Sequence, residues 1–182
     1  MLSTSTTTRR LFFALWPPAS VREQIATFQR QLPRQHGRAV PPANLHITLA
    51  FIGAVTSACI PCLQRQAGRV SATPFTLWLD RLGHFRKARV LWLGAATPPA
   101  ANALVSELNR QLAACDYRPE TRPFVPHVTL MRKSRSTPAV LEPAPICWPI
   151  EAFYLVESVS TTQGVRYDLL ERFPLKAGVQ PT

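Results

Sequence analysis

Acidic residues are scarce in this chain of 182 residues: it has 10 Asp and Glu against 21 Lys and Arg, a formal net charge of +11. Lysine is scarce too, since Lys87, Lys133 and Lys176 are the only three, which leaves 18 of the 21 basic residues as arginines. A guanidinium group binds two phosphate oxygens at once, so this balance favours a polyanionic partner such as RNA. A genome rich in G and C would also favour arginine codons, and charge alone leaves both interpretations open.

Several motifs and long segments are missing as well. No run of about 18 uncharged apolar residues is present, which predicts that no segment spans a membrane. Met1–Thr8 is rich in Ser and Thr and lacks the apolar stretch of a secretory signal, so we expect a cytoplasmic protein. There is no Walker loop, no G-x-G-x-x-G and no G-x-S-x-G, and no acidic or histidine cluster typical of a metal site. We therefore expect no metal and no cofactor.

Four cysteines are present, and Cys59 and Cys62 have the C-x-x-C spacing. A structural zinc site would need a second close pair of ligands, but Cys115 and Cys147 stand alone. In a cytoplasmic chain we expect all four to be reduced thiols, buried or partly buried.

The predicted secondary structure repeats itself in the two halves of the chain. The first half reads strand, helix, strand, helix, strand, and the second half begins again with a strand, a helix and a strand. The predicted strands are 10–16, 44–52, 75–80, 89–94, 126–131, 151–156 and a closing hairpin at 164–172, and the clearest helices begin near Ser20 and at Thr97. An internal duplication with an offset of 81 residues predicts an α+β fold with two similar lobes related by a pseudo-two-fold axis. We expect one bilobal domain over residues 9–176, with tails at 1–8 and 177–182.

The most specific signal is a repeated tetrapeptide. His46-Ile47-Thr48-Leu49 and His127-Val128-Thr129-Leu130 share the pattern His-apolar-Thr-Leu, and the two histidines are 81 positions apart. Two such matches among four histidines arise by chance about once in several thousand. Side chains alternate along a strand, so each His shares a face with its Thr while the apolar residues enter the core. The pseudo-two-fold axis would bring both His/Thr pairs to one cleft.

Two imidazoles at one cleft suit acid–base chemistry. With a pKa near 6.5, one can accept a proton while the other donates one. Two threonine hydroxyls and a nearby guanidinium can donate hydrogen bonds to the non-bridging oxygens of a phosphoryl group. This combination predicts cleavage of a phosphodiester without a metal ion.

The chain resembles the 2H phosphoesterase superfamily, and within it the bacterial RNA 2',3'-cyclic phosphodiesterases, or 2'-5' RNA ligases. The resemblance rests on the paired His-x-Thr motifs and covers nearly the whole chain. It includes the segments 10–14, 44–53, 89–94, 122–132 and 166–167. It implies a bilobal fold of two sheets rich in antiparallel strands, with helices on their outer faces and both motifs in the central cleft. It also implies opening of a terminal 2',3'-cyclic phosphate of RNA to a 2'-phosphomonoester, with 2'-5' ligation as the possible reverse reaction.

The resemblance also implies residue roles. His127 would be the proton acceptor, His46 the proton donor, and Thr48 and Thr129 the ligands of the non-bridging oxygens. From the sequence alone the two histidines are interchangeable. Arg132 would bind phosphate if the strand ends near Met131, although in a regular strand it faces away from His127.

Three aromatic residues and two further histidines are less certain candidates. Phe12, Phe85 and Phe124 could stack on a base, although core packing explains each of them as well. His36 and His84 have no partner motif and are treated as incidental.

The expected partners are RNA ends that carry a cyclic phosphate, such as tRNA halves, and we expect a monomer that binds no membrane. The alternative is a non-catalytic module that binds RNA or nucleotides on the same fold.

Overall fold

The structure is a computed structural model, and it describes residues 8–33, 37–135, 142–162 and 164–176. In these residues it contains three α-helices and ten strands. The helices are α1 (Ala19–Gln31), α2 (Ile60–Ala67) and α3 (Pro99–Leu112). The strands are β1 (Thr8–Leu15), β2 (Arg38–Ala39), β3 (Ile47–Thr56), β4 (Phe75–Leu79), β5 (Arg81–Phe85), β6 (Val90–Gly94), β7 (His127–Arg132), β8 (Ile146–Ile150), β9 (Ala152–Thr161) and β10 (Gly164–Pro174).

The large sheet has the strand order β10-β9-β1-β3-β7-β6-β5, with the short β2 also paired to β7. All of its strand pairs are antiparallel. The two motif strands, β3 and β7, are neighbours at its centre and meet at the pair Ile47–Val128. The predicted α+β fold with antiparallel sheets is confirmed. Because of that one pair, the two expected sheets are continuous with each other.

The strand order is symmetric about the junction of β3 and β7. β1 and β6 are the next strands outward, and each comes directly before the helix that leads to a motif strand. The third strand of each half does not follow the 81-residue offset, which would align Phe75 of β4 with Val156 of β9. Phe75 instead pairs with Ile150 of β8, in a separate two-stranded sheet. The chain between β7 and β8 is shorter than that between β3 and β4, so the offset changes there.

The two faces of the large sheet are packed differently. On one face, apolar side chains at helical spacing, such as Leu104 and Leu108 of α3, bury against the sheet and against β4 and β8. This forms the main hydrophobic core. The opposite face carries only a small cluster built on Phe12, Ala14 and Val156. That less covered face is the one on which the motif histidines lie.

Two expectations from the sequence need correction. Cys62 of α2 and Cys115, just after α3, form a disulfide, with Cα atoms 5.9 Å apart, so these two are not reduced thiols. Their separation of 53 residues gave no sign of this pairing in the sequence. Cys59 and Cys147 are free thiols. β1 begins at Thr8, so the expected N-terminal tail is one residue too long; residues 1–7, 177–182 and His36 lie outside the described residues.

Among the described residues, no helix is both long enough and apolar enough to cross a membrane.

Candidate active site

A β-bulge follows the threonine of the first motif. In the pairing of β3 with β1, Leu49 is the extra residue, so Leu49 and Ala50 both point into the main core. Thr48 is opposite Ala14, on the less covered face. The next residue, Phe51, returns to that face and is 57% exposed. The bulge therefore puts the fifth residue after His46 on the same face as His46.

The second motif has a bulge at the equivalent position. In the pairing of β7 with β6, Leu130 is the extra residue, and both Leu130 and Met131 are buried. Arg132, which a regular strand would direct away from His127, is exposed and returns to the face of His127 and Thr129. The structure thus brings Arg132 to the motif face although β7 continues to residue 132.

The register of β3 and β7 brings the two motifs together. Ile47 pairs with Val128 and both side chains are buried in the core, so the residues on either side of this pair point to the other face. Because the strands are antiparallel, this register puts His46 beside Thr129 and His127 beside Thr48. The four side chains therefore converge on one patch at the centre of the sheet.

His46 is held by one backbone group and three aromatic rings. Its Nδ1–H donates to the carbonyl oxygen of Asn44 at 2.7 Å, and its Nε2 lies 3.2 Å from Oγ1 of Thr48. The indole of Trp16 is stacked on the imidazole, with centroids 5.4 Å apart and an interplanar angle of 9°. Phe12 and Tyr167 contact the ring at 5.0 and 5.1 Å. The carbonyl fixes the tautomer, and Nε2 is the nitrogen directed at the cleft.

His127 is oriented in the same way by different neighbours. Its Nδ1–H donates to the carbonyl oxygen of Val125 at 2.7 Å, which again leaves Nε2 for the cleft. The edge of Phe85 lies 4.9 Å from the imidazole and Trp92 is 6.1 Å away. Both histidines therefore present Nε2, and each is tied through Nδ1 to the carbonyl two residues before it.

The pKa values of both histidines are depressed. Burial lowers the pKa of His46 to about 4; the carbonyl of Asn44 opposes this shift, while the positive charges of Arg132 and His127 add to it. Burial also lowers the pKa of His127, again opposed by a backbone carbonyl, that of Val125. Both imidazoles are thus neutral at pH 7 in the unliganded protein, and Arg132 is close enough to His46 to influence its charge.

The aromatic candidates from the sequence occupy three different environments. Phe12 is 3% exposed and lies against His46, so it supports that ring and offers no face to a base. Phe85 lies beside His127. Phe124 is partly buried and packs against the main core. Nε2 of His84 lies 3.3 Å from the carbonyl of Ser134, a contact outside the motif patch.

Sequence reasoning did not single out three aromatic residues that frame the histidines, namely Trp16, Tyr167 and Trp92. Their alternation in apolar strands gave a signal for burial but none for contact with His46 or His127. Tyr167 belongs to a segment that the family resemblance included, and this was the one available hint.

Within the described part of the chain, no group of three His, Cys, Asp or Glu side chains is arranged to hold a metal ion.

Comparison with known proteins agrees with this geometry. The sequence model of the 2'-5' RNA ligase superfamily matches residues 17–162. The RNA 2',3'-cyclic phosphodiesterase of Escherichia coli is 37% identical over 171 residues, which cover 92% of this chain and 97% of that protein. The protein of the same name from Thermus thermophilus is 30% identical, with 92% and 90% covered.

Solved structures give the same result. The apo crystal structure of E. coli LigT matches with a TM-score of 0.85 at 36% identity, covering 93% of this chain and 99% of LigT. LigT complexed with 3'-AMP matches with a TM-score of 0.87 at 36% identity, covering 94% and 100%. The resemblance noted from the paired motifs is confirmed: the chain belongs to the 2'-5' RNA ligase superfamily, on the 2H phosphoesterase fold.

Proposed function

We propose that this protein is an enzyme that hydrolyses the terminal 2',3'-cyclic phosphate of RNA to a 2'-phosphomonoester, with no metal ion in the reaction. The observation that carries the proposal is the pair of imidazoles on adjacent antiparallel strands. Each is tied through Nδ1 to a backbone carbonyl, and each presents Nε2 to the same patch. The names of relatives that cover most of this chain support the substrate.

His127 is the proposed base. Its lowered pKa keeps it neutral at pH 7, and the bond from Nδ1–H to Val125 leaves the lone pair on Nε2. Nε2 takes a proton from a water molecule as the water oxygen attacks phosphorus. A new P–O bond forms, and the bond from phosphorus to the ribose O3' breaks.

His46 is the proposed acid, which gives a proton from Nε2 to the departing O3'. For this it must be protonated, yet its pKa of about 4 leaves it neutral in the free protein. The negative charge of a bound cyclic phosphate favours the imidazolium and so raises this pKa. In this proposal, substrate binding itself charges the acid. The product carries a 3'-hydroxyl and a 2'-phosphate.

The other three predicted site residues bind the phosphoryl group. The hydroxyls of Thr48 and Thr129 donate to its non-bridging oxygens, and the guanidinium of Arg132 balances its charge. Thr48 has a second role before substrate binds, since its hydroxyl lies within 3.2 Å of Nε2 of neutral His46 and can donate to it. Phosphate would take over that hydrogen bond.

The same site could join RNA ends. If the 5'-hydroxyl of a second RNA replaces water as the nucleophile, the product is a 2'-5' phosphodiester, and halves of a cleaved tRNA would be suitable substrates. A monomer and a cytoplasmic location remain predictions. The disulfide between Cys62 and Cys115 would be unusual in the cytoplasm of a mesophile, where thiols stay reduced.

The test uses an RNA oligonucleotide that ends in a 2',3'-cyclic phosphate, incubated with the protein in excess EDTA, and identifies the product isomer. We expect a 2'-phosphate, and a loss of rate of about 10²- to 10⁴-fold in His46→Ala and in His127→Ala. His84→Ala is the matched control, because His84 contacts Ser134 away from the motif patch. The rate of this variant should stay near that of the unchanged protein.

Two results would contradict the proposal. Loss of activity in EDTA would indicate a metal-dependent reaction. Tight binding of the oligonucleotide with no turnover would favour the alternative, a module that binds RNA without cleaving it. In that case, affinity should fall steeply with salt and depend on arginines more than on either histidine.

A further inference from the structure

Phe51 is a large aromatic side chain that the fold leaves 57% exposed, close to the motif patch. It is the fifth residue after His46, as Arg132 is the fifth after His127, and each follows a bulge that turns it onto the motif face. The two halves of the duplication thus have different side chains at one structural position. One half has a cation there and the other has an aromatic ring.

Arg10 lies over Phe51. Its guanidinium carbon is 5.9 Å from the centre of the Phe51 ring. Arg10 precedes Phe12 by two residues on β1, and Phe12 pairs with Phe51, so all three side chains are on the motif face. Phe12 in turn contacts His46. A continuous row of side chains therefore connects the exposed Phe51–Arg10 pair with the proposed acid.

Single exposed apolar residues are common on protein surfaces and by themselves need no explanation. Phe51 differs because of its place and its neighbour. Along β3, its Cα is about 10 Å from that of Thr48, at about 3.3 Å per residue. An aromatic face with a guanidinium beside it is the combination with which proteins bind single-stranded nucleic acid, because every base can stack and every phosphate is anionic.

We propose that Phe51 and Arg10 form a subsite for the nucleotide that precedes the terminal one in the RNA substrate. This inference rests on the proposed function. The base of that nucleotide stacks on Phe51, and Arg10 pairs with the phosphate that links it to the terminal nucleotide. The excess of 21 basic over 10 acidic residues suits such an extended polyanion. A cyclic mononucleotide cannot use this subsite, because it has no preceding nucleotide.

The experiment compares two substrates, 2',3'-cyclic AMP and a trinucleotide RNA with a terminal 2',3'-cyclic phosphate. In Phe51→Ala, we expect the KM for the trinucleotide to rise about 10-fold while kcat and the kinetics of the cyclic mononucleotide stay unchanged. Phe51→Trp should restore the KM. Arg10→Met should raise it as well, and less steeply with increasing salt than the unchanged protein does. Trp78→Ala is the control, since Trp78 is 53% exposed on β4, in the separate two-stranded sheet.

Two outcomes would overturn the inference. Equal KM values for the trinucleotide in Phe51→Ala and the unchanged protein would show that no base stacks there. An equal loss for both substrates would show that Phe51 supports the motif patch and not a second nucleotide.

If the unchanged protein hydrolyses neither substrate, the proposed function fails and the subsite is tested by binding. The trinucleotide with a 2'-phosphate end should then bind more tightly than 2'-AMP, and Phe51→Ala should abolish that difference. A difference that persists in the variant would refute the subsite separately.

Discussion

Replacing His46 should make the protein less sensitive to acid. The pKa of His46 is about 4 in the folded protein and 6.5 in an unfolded chain, so between these values the unfolded state binds a proton that the folded state does not. The stabilisation from neutral His46 is fully present above pH 6.5 and is lost as the pH falls towards 4. In this window the free energy of unfolding therefore decreases as the pH decreases.

The magnitude follows from the size of the shift. Each pKa unit corresponds to about 1.4 kcal/mol, so a fall from 6.5 to about 4 is worth about 3 kcal/mol between pH 7 and pH 4. His46→Gln has no group that titrates in this range. Its free energy of unfolding should change with pH by about 3 kcal/mol less than that of the unchanged protein. His127→Gln should act in the same direction, because burial also lowers the pKa of His127.

Urea unfolding at pH 7, 6, 5 and 4 measures this quantity. Glutamates whose pKa is lowered by ion pairs, such as Glu157 beside Arg9, also lose stabilisation in acid, but they do so equally in both proteins. The difference between the two curves therefore isolates His46. Parallel curves, or an NMR titration that gives His46 a pKa near 6.5, would refute the reasoning from burial.

Three further predictions concern the charge of the site and the disulfide. Binding of 2'-AMP at pH 6 should take up a proton, because the phosphate raises the pKa of His46; calorimetry in buffers of different ionisation enthalpy measures this uptake, and its absence would contradict the proposed acid. Arg132→Met should raise the pKa of His46 in an NMR titration and lower the rate on cyclic phosphates, whereas Arg132→Lys should leave that pKa depressed; equal pKa values in the two variants would exclude an effect of the charge. Cys115→Ser should lower the free energy of unfolding by about 4 kcal/mol, as expected for a loop of 53 residues, and leave kcat at 25 °C unchanged, since the disulfide joins α2 to the end of α3; a melting temperature equal to that of the unchanged protein would contradict it.

The strands, the main helices and the shared face of each His/Thr pair could be predicted from the sequence, because all three follow from the local periodicity of apolar residues. The two bulges could not. Leu49 and Leu130 are apolar residues among other apolar residues, and whether one of them is inserted into the register depends on the neighbouring strand. For this reason alternation alone gave the wrong face for Arg132 and no reason to consider Phe51.

The exchange of outer strands was also beyond the sequence pattern. β5 follows β4 in the chain but pairs with β6 of the second half, and β9 pairs with β1 of the first. Such pairings are set by long-range packing that a local periodicity does not record. They nevertheless matter for the site, because β5 supplies Phe85 to His127, and β9 pairs with β10, which supplies Tyr167 to His46.

The surroundings of the two histidines distinguish groups that the repeated motif makes equivalent. His46 lies under the stacked ring of Trp16 and within reach of the charge of Arg132, and its pKa is about 4. His127 has no such cation among the causes of its lowered pKa. A phosphate bound by Arg132 would neutralise that cation next to His46 and add a negative charge of its own. The pKa of His46 would then respond to the ligand more strongly than that of His127. A group that becomes protonated when phosphate binds is suited to be the acid, and one that stays neutral is suited to be the base. The asymmetry of Arg132 and Phe51 at one repeated position thus gives a physical reason for the assignment of His46 as donor and His127 as acceptor, which the two motifs alone left open.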